Sequence, residues 1–217
     1  RDVVGEFSRS TKPFFLDVAF VAPHAGGPRD PEDPSVLPDP TRGRYRMPTT
    51  YVAKKYRGRF DAQIDRGAGL PADGGPTEAD VSDKPYFFRD YDEPTSAQRA
   101  ALRTATVQRA NAIGAVDTQV GRLVDRLKRL GEWQDTVLVF TSDNGAPHSD
   151  GLTALNAPYR GWKATFFEGG IHVPYFMRWP GRIPAGTKIA APASHFDVFA
   201  TAAAAATSRR PNSASST

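Results

Sequence analysis

The chain has 217 residues, 39% of them hydrophobic, with 19 prolines, 19 glycines and no cysteine. That is enough for one large domain or a piece of a bigger one, with long irregular segments around its core, and it excludes a disulfide framework and thiol chemistry. No apolar run approaches the roughly 20 residues of a bilayer-spanning helix, and a net charge of +4 with a pI near 9.4 is too mild to select a nucleic acid or any other anion as partner.

The opening residues, Arg-Asp-Val-Val-Gly-Glu-Phe, have neither an initiator Met nor the apolar core of a signal peptide. They read as a flexible lead-in over residues 1–11 of a chain that begins inside a longer protein. Phe14–Val21, F-F-L-D-V-A-F-V, predicts a buried strand interrupted only by Asp17. It ends at Ala22-Pro23-His24, placing His24 where the crevice of an α/β sheet lies; a lone histidine there is either structural or catalytic.

Residues 26–94 are dense in proline and glycine, which fix φ and remove donors, so neither helix nor ladder is expected to persist. The stretch reads as a long loop excursion over one face. Its middle interleaves Arg42, Arg44, Arg46, Lys54, Lys55, Arg57 and Arg59 with Tyr45, Tyr51, Tyr56 and Phe60. That mixture suits either a solvated loop or a basic polyanion-binding module.

Thr95 and Gln98 form a capping-box signature ahead of a segment rich in Ala, Arg, Leu and Gln. Ile113, Val116, Val120, Leu123, Leu127 and Leu130 recur at helical spacing, and Gly131 has the C′ position. This predicts a long helix, with a break near Gly114, packing its apolar stripe on a sheet. A short loop then leads to Thr136–Thr141, T-V-L-V-F-T, read as a central strand covered on both faces and closing a βαβ unit. The run stops at Ser142-Asp143-Asn144-Gly145. Asp143 and Asn144 carry hard oxygens, and Gly145 permits unusual backbone geometry, so the tip is either a strand-ending turn or part of a metal site.

Beyond it come His148, Asp150 and Asn156 in a loop, then Arg160-Gly161-Trp162-Lys163 and Phe167-Glu168-Gly169-Gly170. Ile171–Trp179 predicts another strand, with Pro174 marking its start, an edge or a bulge. Val198–Ala206 predicts a last helix with Asp197 at its N-terminus. Residues 207–217 are low in complexity and read as a disordered tail.

Taken together, Phe14–His24, Asp117–Leu130, Thr136–Gly145, Arg160–Gly170 and Val173–Gly186 resemble the sulfatase family, in that family's order. S-D-N-G, R-G-W-K and F-E-G-G-I-H-V-P are specific as a set. Glu78–Pro85 is similar to a segment of bacterial sulfatases close to N-acetylglucosamine-6-sulfatases. The resemblance implies an α/β, alkaline-phosphatase-like sandwich, a mostly parallel sheet flanked by helices, here incomplete, with residues 12–206 as a partial catalytic domain. It implies hydrolysis of a small-molecule or glycan sulfate ester by a formylglycine nucleophile with a divalent cation, usually Ca²⁺. It implies Asp143 and Asn144 as metal ligands, and Lys163 and His24 as catalytic and substrate-binding groups on the sulfate and leaving group.

The sequence departs from the family at the nucleophile. It has no Cys, no Ser-x-Pro-x-Arg and no Asp-Asp pair, so formylglycine is expected in a missing N-terminal part and the fragment is expected to be inactive alone. Ala164 stands where the family often has Gly. A phosphoryl-transfer relative of the same superfamily is the competing enzyme reading.

Overall fold

A computed structural model of the chain describes residues 2–34, 37–39, 43–45, 49–64, 82, 95–146, 156 and 159–207. The elements in chain order are helix α1 (Val3–Phe7), strands β1 (Leu37–Asp39) and β2 (Gly43–Tyr45), helix α2 (Ser96–Arg129), strand β3 (Leu138–Thr141), helix α3 (Glu168–Ile171), strand β4 (Tyr175–Arg178) and helix α4 (His195–Thr207). They fall into two compact units. One comprises residues 1–18, 122–142 and 174–217; the other comprises 19–121 and 143–173.

The first unit is built on the C-terminal end of α2. Gly131, at φ 78°, closes that helix with two backbone bonds, Glu132 N–H to the Leu127 carbonyl (2.9 Å) and Gly131 N–H to Lys128 (3.1 Å). This is the Schellman arrangement, and a left-handed residue there favours glycine. Trp133 follows. Its ring lies under the Arg178 guanidinium at 3.8 Å, and its carbonyl accepts from Arg178 Nη1 at 2.8 Å. Arg178 ends β4, which pairs with β3 in the register Leu138–Arg178 to Thr141–Tyr175.

That ladder is antiparallel, so the expected parallel arrangement is corrected for the described strands. A parallel neighbour needs a crossover of a dozen or more residues, usually a helix. Between Thr141 and Tyr175 the only described helix is the four-residue α3. Nor is β3 covered on both faces: its residues are half-buried and Phe140 is exposed, against an equally exposed Phe176 at 6.4 Å. β4 starts just after Pro174, the position a donor-less residue favours, and the expected strand from Ile171 is shorter because Ile171 closes α3.

Phe14–Val21 also differs from expectation. It belongs to no described strand, and Phe15, Leu16, Val18, Phe20 and Val21 are exposed. Apolar composition favours a strand only if neighbours on both sides supply ladder bonds and cover; no described strand pairs with this run.

Within the expected flexible lead-in, Val3–Phe7 is helical. Asp2 caps α1 by accepting from Gly5 N–H (3.1 Å), and it also pairs with Arg126. The Arg126 hydrogen bond first, and the Gly5 N–H second, hold the Asp2 carboxyl below its ordinary 3.8. A depressed carboxylate contributes stability above its unfolded value and loses it as pH falls through the lower folded one. The α1 cap is therefore expected to release only below about pH 3.8. A pH titration of the Gly5 amide resonance checks this: its midpoint should lie below 3.8 and rise in Arg126→Ala.

Among the described residues the second unit carries most of the buried ones; Asp30, Thr50, Val52 and Tyr56 come from the stretch read as a surface excursion, and most of the others lie on α2. Val52 and Tyr56 are buried against Ala112 of α2, with Ala22, Ala53 and Ala115 around them. The middle of the helix, Asn111 to Ala115, thus packs on residues 52–61, and of the expected apolar stripe Val116 and Leu127 are buried. Its buried residues mix small side chains and amides, Ala101, Ala105, Gln108, Asn111 and Ala112, with the larger Leu102, Val116 and Leu127, while Ile113 is exposed. Asn111 accepts from Phe60 N–H (2.8 Å) and donates to Asp61 (2.8 Å). Gln108 donates to Asp33 (3.0 Å), which also accepts from the Thr49 hydroxyl (2.8 Å). α2 is continuous through Gly114, where a Cβ would press on Tyr56. Thr95 and Gln98 cap it reciprocally, Gln98 N–H to Thr95 Oγ1 (3.2 Å) and Thr95 N–H to Gln98 Oε1 (2.8 Å).

The loop also contains structure that its proline content argues against. β1 and β2 form a short antiparallel ladder, and Lys54–Tyr56 and Asp61–Ile64 are 3₁₀ turns. Two of the cations that suit either a solvated loop or a polyanion-binding module are engaged internally: Arg57 pairs with Asp30 (2.9 Å) and Glu32 (3.4 Å), and Arg59 with Asp117 (3.7 Å). Arg42, Arg46, the side chains of Arg44 and Tyr45, the match at Glu78–Pro85 apart from Ser82, His148, Asp150, and the tail from 208 lie outside the described residues.

Candidate functional site

Asp143 follows β3 by two residues and is exposed; Asn144 beside it donates from Nδ2 to Asp143 Oδ2 at 2.5 Å. The two oxygen-bearing side chains are thus at a strand tip, as the residue pattern predicts. What holds them is the backbone immediately downstream. Gly145 N–H donates to the Gly170 carbonyl (2.9 Å), and the Ala146 carbonyl accepts from Lys163 N–H (3.0 Å). Lys163, half-buried, is therefore fixed through its own backbone three residues beyond Asp143.

Three glycines make this approach feasible. A Cβ on Gly145 would overlap the Gly169 carbonyl oxygen, one on Gly169 would overlap the Gly161 carbonyl, and one on Gly170 would overlap the Thr165 carbonyl. Gly145 is not in a left-handed conformation, so its glycine is required by proximity; the expectation that it serves unusual backbone geometry is corrected. The left-handed positions are Gly161 (φ 89°) and Ala164 (φ 73°). An alanine at that φ carries a strain of about 1–2 kcal/mol, which a glycine would relieve. Thr165 closes this turn, its hydroxyl donating to the Trp162 carbonyl (2.7 Å) and accepting from Trp162 N–H (3.1 Å).

His24 is positioned by a separate set of bonds. Its N–H donates to Val21 (2.8 Å), its Nδ1 meets the Ala25 carbonyl at 2.7 Å, and the Thr50 hydroxyl lies 2.6 Å and 3.0 Å from the Pro23 and His24 carbonyls. A carbonyl partner requires Nδ1 to carry the proton, so in the neutral ring Nε2 is the nitrogen with the lone pair. Asp143, Asn144 and Lys163 share one loop cluster; His24 is fixed by residues 49–50 of the same unit.

The Asp143 carboxylate and Asn144 amide match a hard cation such as Ca²⁺ in kind. In number they fall short, since Ca²⁺ takes about six to eight oxygens, and among the described residues no group of three or more His, Cys, Asp or Glu could hold a metal ion. The pair is suited to one edge of a coordination shell.

The residues that build the frame carry little signal in the sequence, where Asn156 is a loop residue like its neighbours. Its side chain accepts from Ala146 N–H (2.7 Å) and donates to the carbonyls of Ala146 (3.1 Å) and Gly161 (3.1 Å). Glu168 and His172 pair at 2.8 Å within one helical turn, and Tyr159 stacks on the His172 ring at 4.2 Å. The i,i+4 spacing was a readable signal for the first pair; nothing in the local sequence marks the stack or the amide contacts.

Comparison with known proteins agrees with the motif set. The family model described as Sulfatase matches residues 2–208. The chain is 38% identical over 107 residues to a steryl-sulfatase of Rattus norvegicus, covering 46% of this chain and 18% of that protein. It is 38% identical over 114 residues to an N-acetylgalactosamine-6-sulfatase of Canis lupus familiaris, covering 50% and 21%. It is 40% identical over 75 residues to an uncharacterised sulfatase, YdeN, of Escherichia coli (strain K12), covering 35% and 13%. The chain thus aligns with no more than 21% of the length of any of these three.

Proposed function

Because the chain belongs to the sulfatase family, we propose that it forms part of a sulfuric ester hydrolase and supplies the sulfate-side lysine and two oxygen ligands of that enzyme's site. The observation that carries this reading is the pair of backbone bonds, Gly145 to Gly170 and Lys163 to Ala146, that ties the lysine turn to the Asp143–Asn144 tip. The substrate is a sulfate ester of a small molecule or glycan.

On this reading, Asp143 and Asn144 hold one edge of a divalent cation site, with Ca²⁺ as the expected ion. A cation bound there supplies Lewis-acid polarisation and a template for the sulfate oxygens. The Lys163 ammonium offsets negative charge that grows on the bridging oxygen as the S–O bond breaks. His24, with Nδ1–H directed at the Ala25 carbonyl, moves a proton only at Nε2, where its imidazolium form donates to the leaving oxygen. The nucleophile, a formylglycine hydrate in this chemistry, is assigned to none of the 217 residues, because they include neither Cys nor Ser-x-Pro-x-Arg.

Two measurements test the reading. Inorganic sulfate, titrated in the presence of CaCl₂, should produce a saturable shift of the Lys163 side-chain resonance that Asp143→Ala weakens; no shift in the unaltered chain sinks the assignment. A chromogenic aryl sulfate should release no sulfate with this polypeptide alone, with or without Ca²⁺, and metal-dependent turnover would contradict the assignment of the nucleophile elsewhere.

A further inference from the structure

We infer that Asn156 is the positioning residue that sets the separation between the Asp143–Asn144 tip and Lys163. Its functional weight rests on the reading above; the geometric claim stands by itself. One carboxamide meets three backbone groups. Oδ1 accepts from Ala146 N–H at 2.7 Å, and Nδ2 donates to the Ala146 carbonyl at 3.1 Å and the Gly161 carbonyl at 3.1 Å. An amide presents an acceptor and two donors in one plane, so it pairs with both polar groups of a single residue as a neighbouring strand would, and a second N–H remains for Gly161.

The chemistry of the three partners selects this side chain. The site offers one donor and two acceptors, so the amide orientation is forced: reversed, its oxygen would face two carbonyls. Aspartate lacks the donors and would bring a negative oxygen against both carbonyls. Alanine leaves the Ala146 N–H and the Gly161 carbonyl without this partner. Glutamine carries an extra methylene into a frame where Gly145 already lies so close that a Cβ would meet Asn156 Oδ1 at 3.2 Å.

The bonds form a relay between functional groups. Ala146 is three residues after Asp143, and its carbonyl takes both Asn156 Nδ2 and Lys163 N–H. Gly161 is two residues before Lys163. Asn156 therefore grips the chain on the tip side and on the lysine side at once. Its own carbonyl accepts from Tyr159 N–H (2.9 Å), which anchors the clamp from behind.

The test measures separation rather than stability. The chain has no cysteine, so Asp143→Cys provides a single site for a nitroxide whose broadening of nearby resonances falls steeply with distance. The label should strongly broaden the Lys163 amide. Adding Asn156→Ala or Asn156→Asp should reduce that broadening several-fold, while α2 resonances stay unchanged. In the unlabelled chain, either Asn156 change should accelerate amide exchange at Ala146 and Lys163 at least about tenfold. Unchanged broadening in a folded variant overturns the proposal. If neither variant folds, the unaltered chain decides: Ala146 and Lys163 amides must open with a common exchange rate, and fast or independent exchange at either overturns it. The sulfate titration at Lys163 separates the two ideas. Absence of sulfate binding with intact broadening removes the functional reading and leaves the clamp; sulfate binding undiminished in Asn156→Ala removes the clamp's functional role.

Discussion

Replacing Gly145 with alanine is expected to open the loop cluster that carries Asp143, Asn144 and Lys163. The added Cβ has no room, because it would overlap the Gly169 carbonyl oxygen and also lie 2.9 Å from its carbon. Both are backbone atoms, so no side-chain rotation relieves the conflict. The Gly145 N–H to Gly170 bond and the Lys163 N–H to Ala146 bond lie within a residue of the clash. Forced overpacking costs about 1–3 kcal/mol, and loss of a backbone bond adds about 1 kcal/mol, so a local destabilisation of about 3 kcal/mol is expected. Amide exchange at Lys163 and Gly169 reads it directly. Gly121→Ala provides the contrast: nothing lies within 4 Å of its Cβ position, in the middle of α2. That change should stabilise the helix by about 1 kcal/mol. Equal effects from the two substitutions would show that proximity is not what position 145 demands.

Arg57→Ala should be the most damaging surface-reaching substitution in the second unit. The Asp30 side chain is only 1% exposed, while Arg57 is 24% exposed. Asp30 accepts from Arg57 Nη2 (2.9 Å), Val52 N–H (3.2 Å) and Glu32 N–H (3.0 Å). Arg57 also donates from Nε to the Val52 carbonyl at 3.3 Å. Removing the guanidinium leaves a buried carboxylate held by backbone donors alone, and breaking such a pair from one side costs about 3–5 kcal/mol. The lower end applies because water reaches Arg57. Asp30→Ala should cost less, since the released guanidinium still has Glu32 and solvent; about 1–3 kcal/mol is expected for the donors it leaves behind. Denaturant melts monitored at α2 amides between Ala105 and Ala112 give both values. A loss below about 1 kcal/mol in Arg57→Ala, or the reverse order, would rule out this account of the buried pair.

The buried pair closes the proline-rich loop on itself, within the unit that also holds the candidate site. Val52 and Tyr56, which pack on α2, lie in sequence between Asp30 and Arg57. Residues 49–50 in turn fix the Pro23–His24 backbone through the Thr50 hydroxyl. A change at Arg57 should therefore be felt at His24 before it is felt at Lys163, whose backbone is held by Ala146.

Local chemistry determined much of this chain from sequence alone. The capping box at Thr95 and Gln98, Gly131 at the C′ position and the oxygen pair at the β3 tip each depend on residues within a few positions of one another. The motif set S-D-N-G, R-G-W-K and F-E-G-G likewise identified the family without coordinates. The tertiary structure decided what depends on partners distant in sequence. Phe14–Val21 has strand composition yet no described ladder, because a strand exists only with its neighbours. α2 buries Leu102, Val116 and Leu127 but also Gln108 and Asn111, which no hydrophobic period marks; those amides are buried because Asp33, Phe60 and Asp61 supply their hydrogen bonds. Asn156 is an ordinary loop amide in sequence, and only folding brings the Ala146 and Gly161 backbones to its side chain. Gly145 was legible as a glycine but not for its reason, since the carbonyl it must admit is 24 residues away, at Gly169.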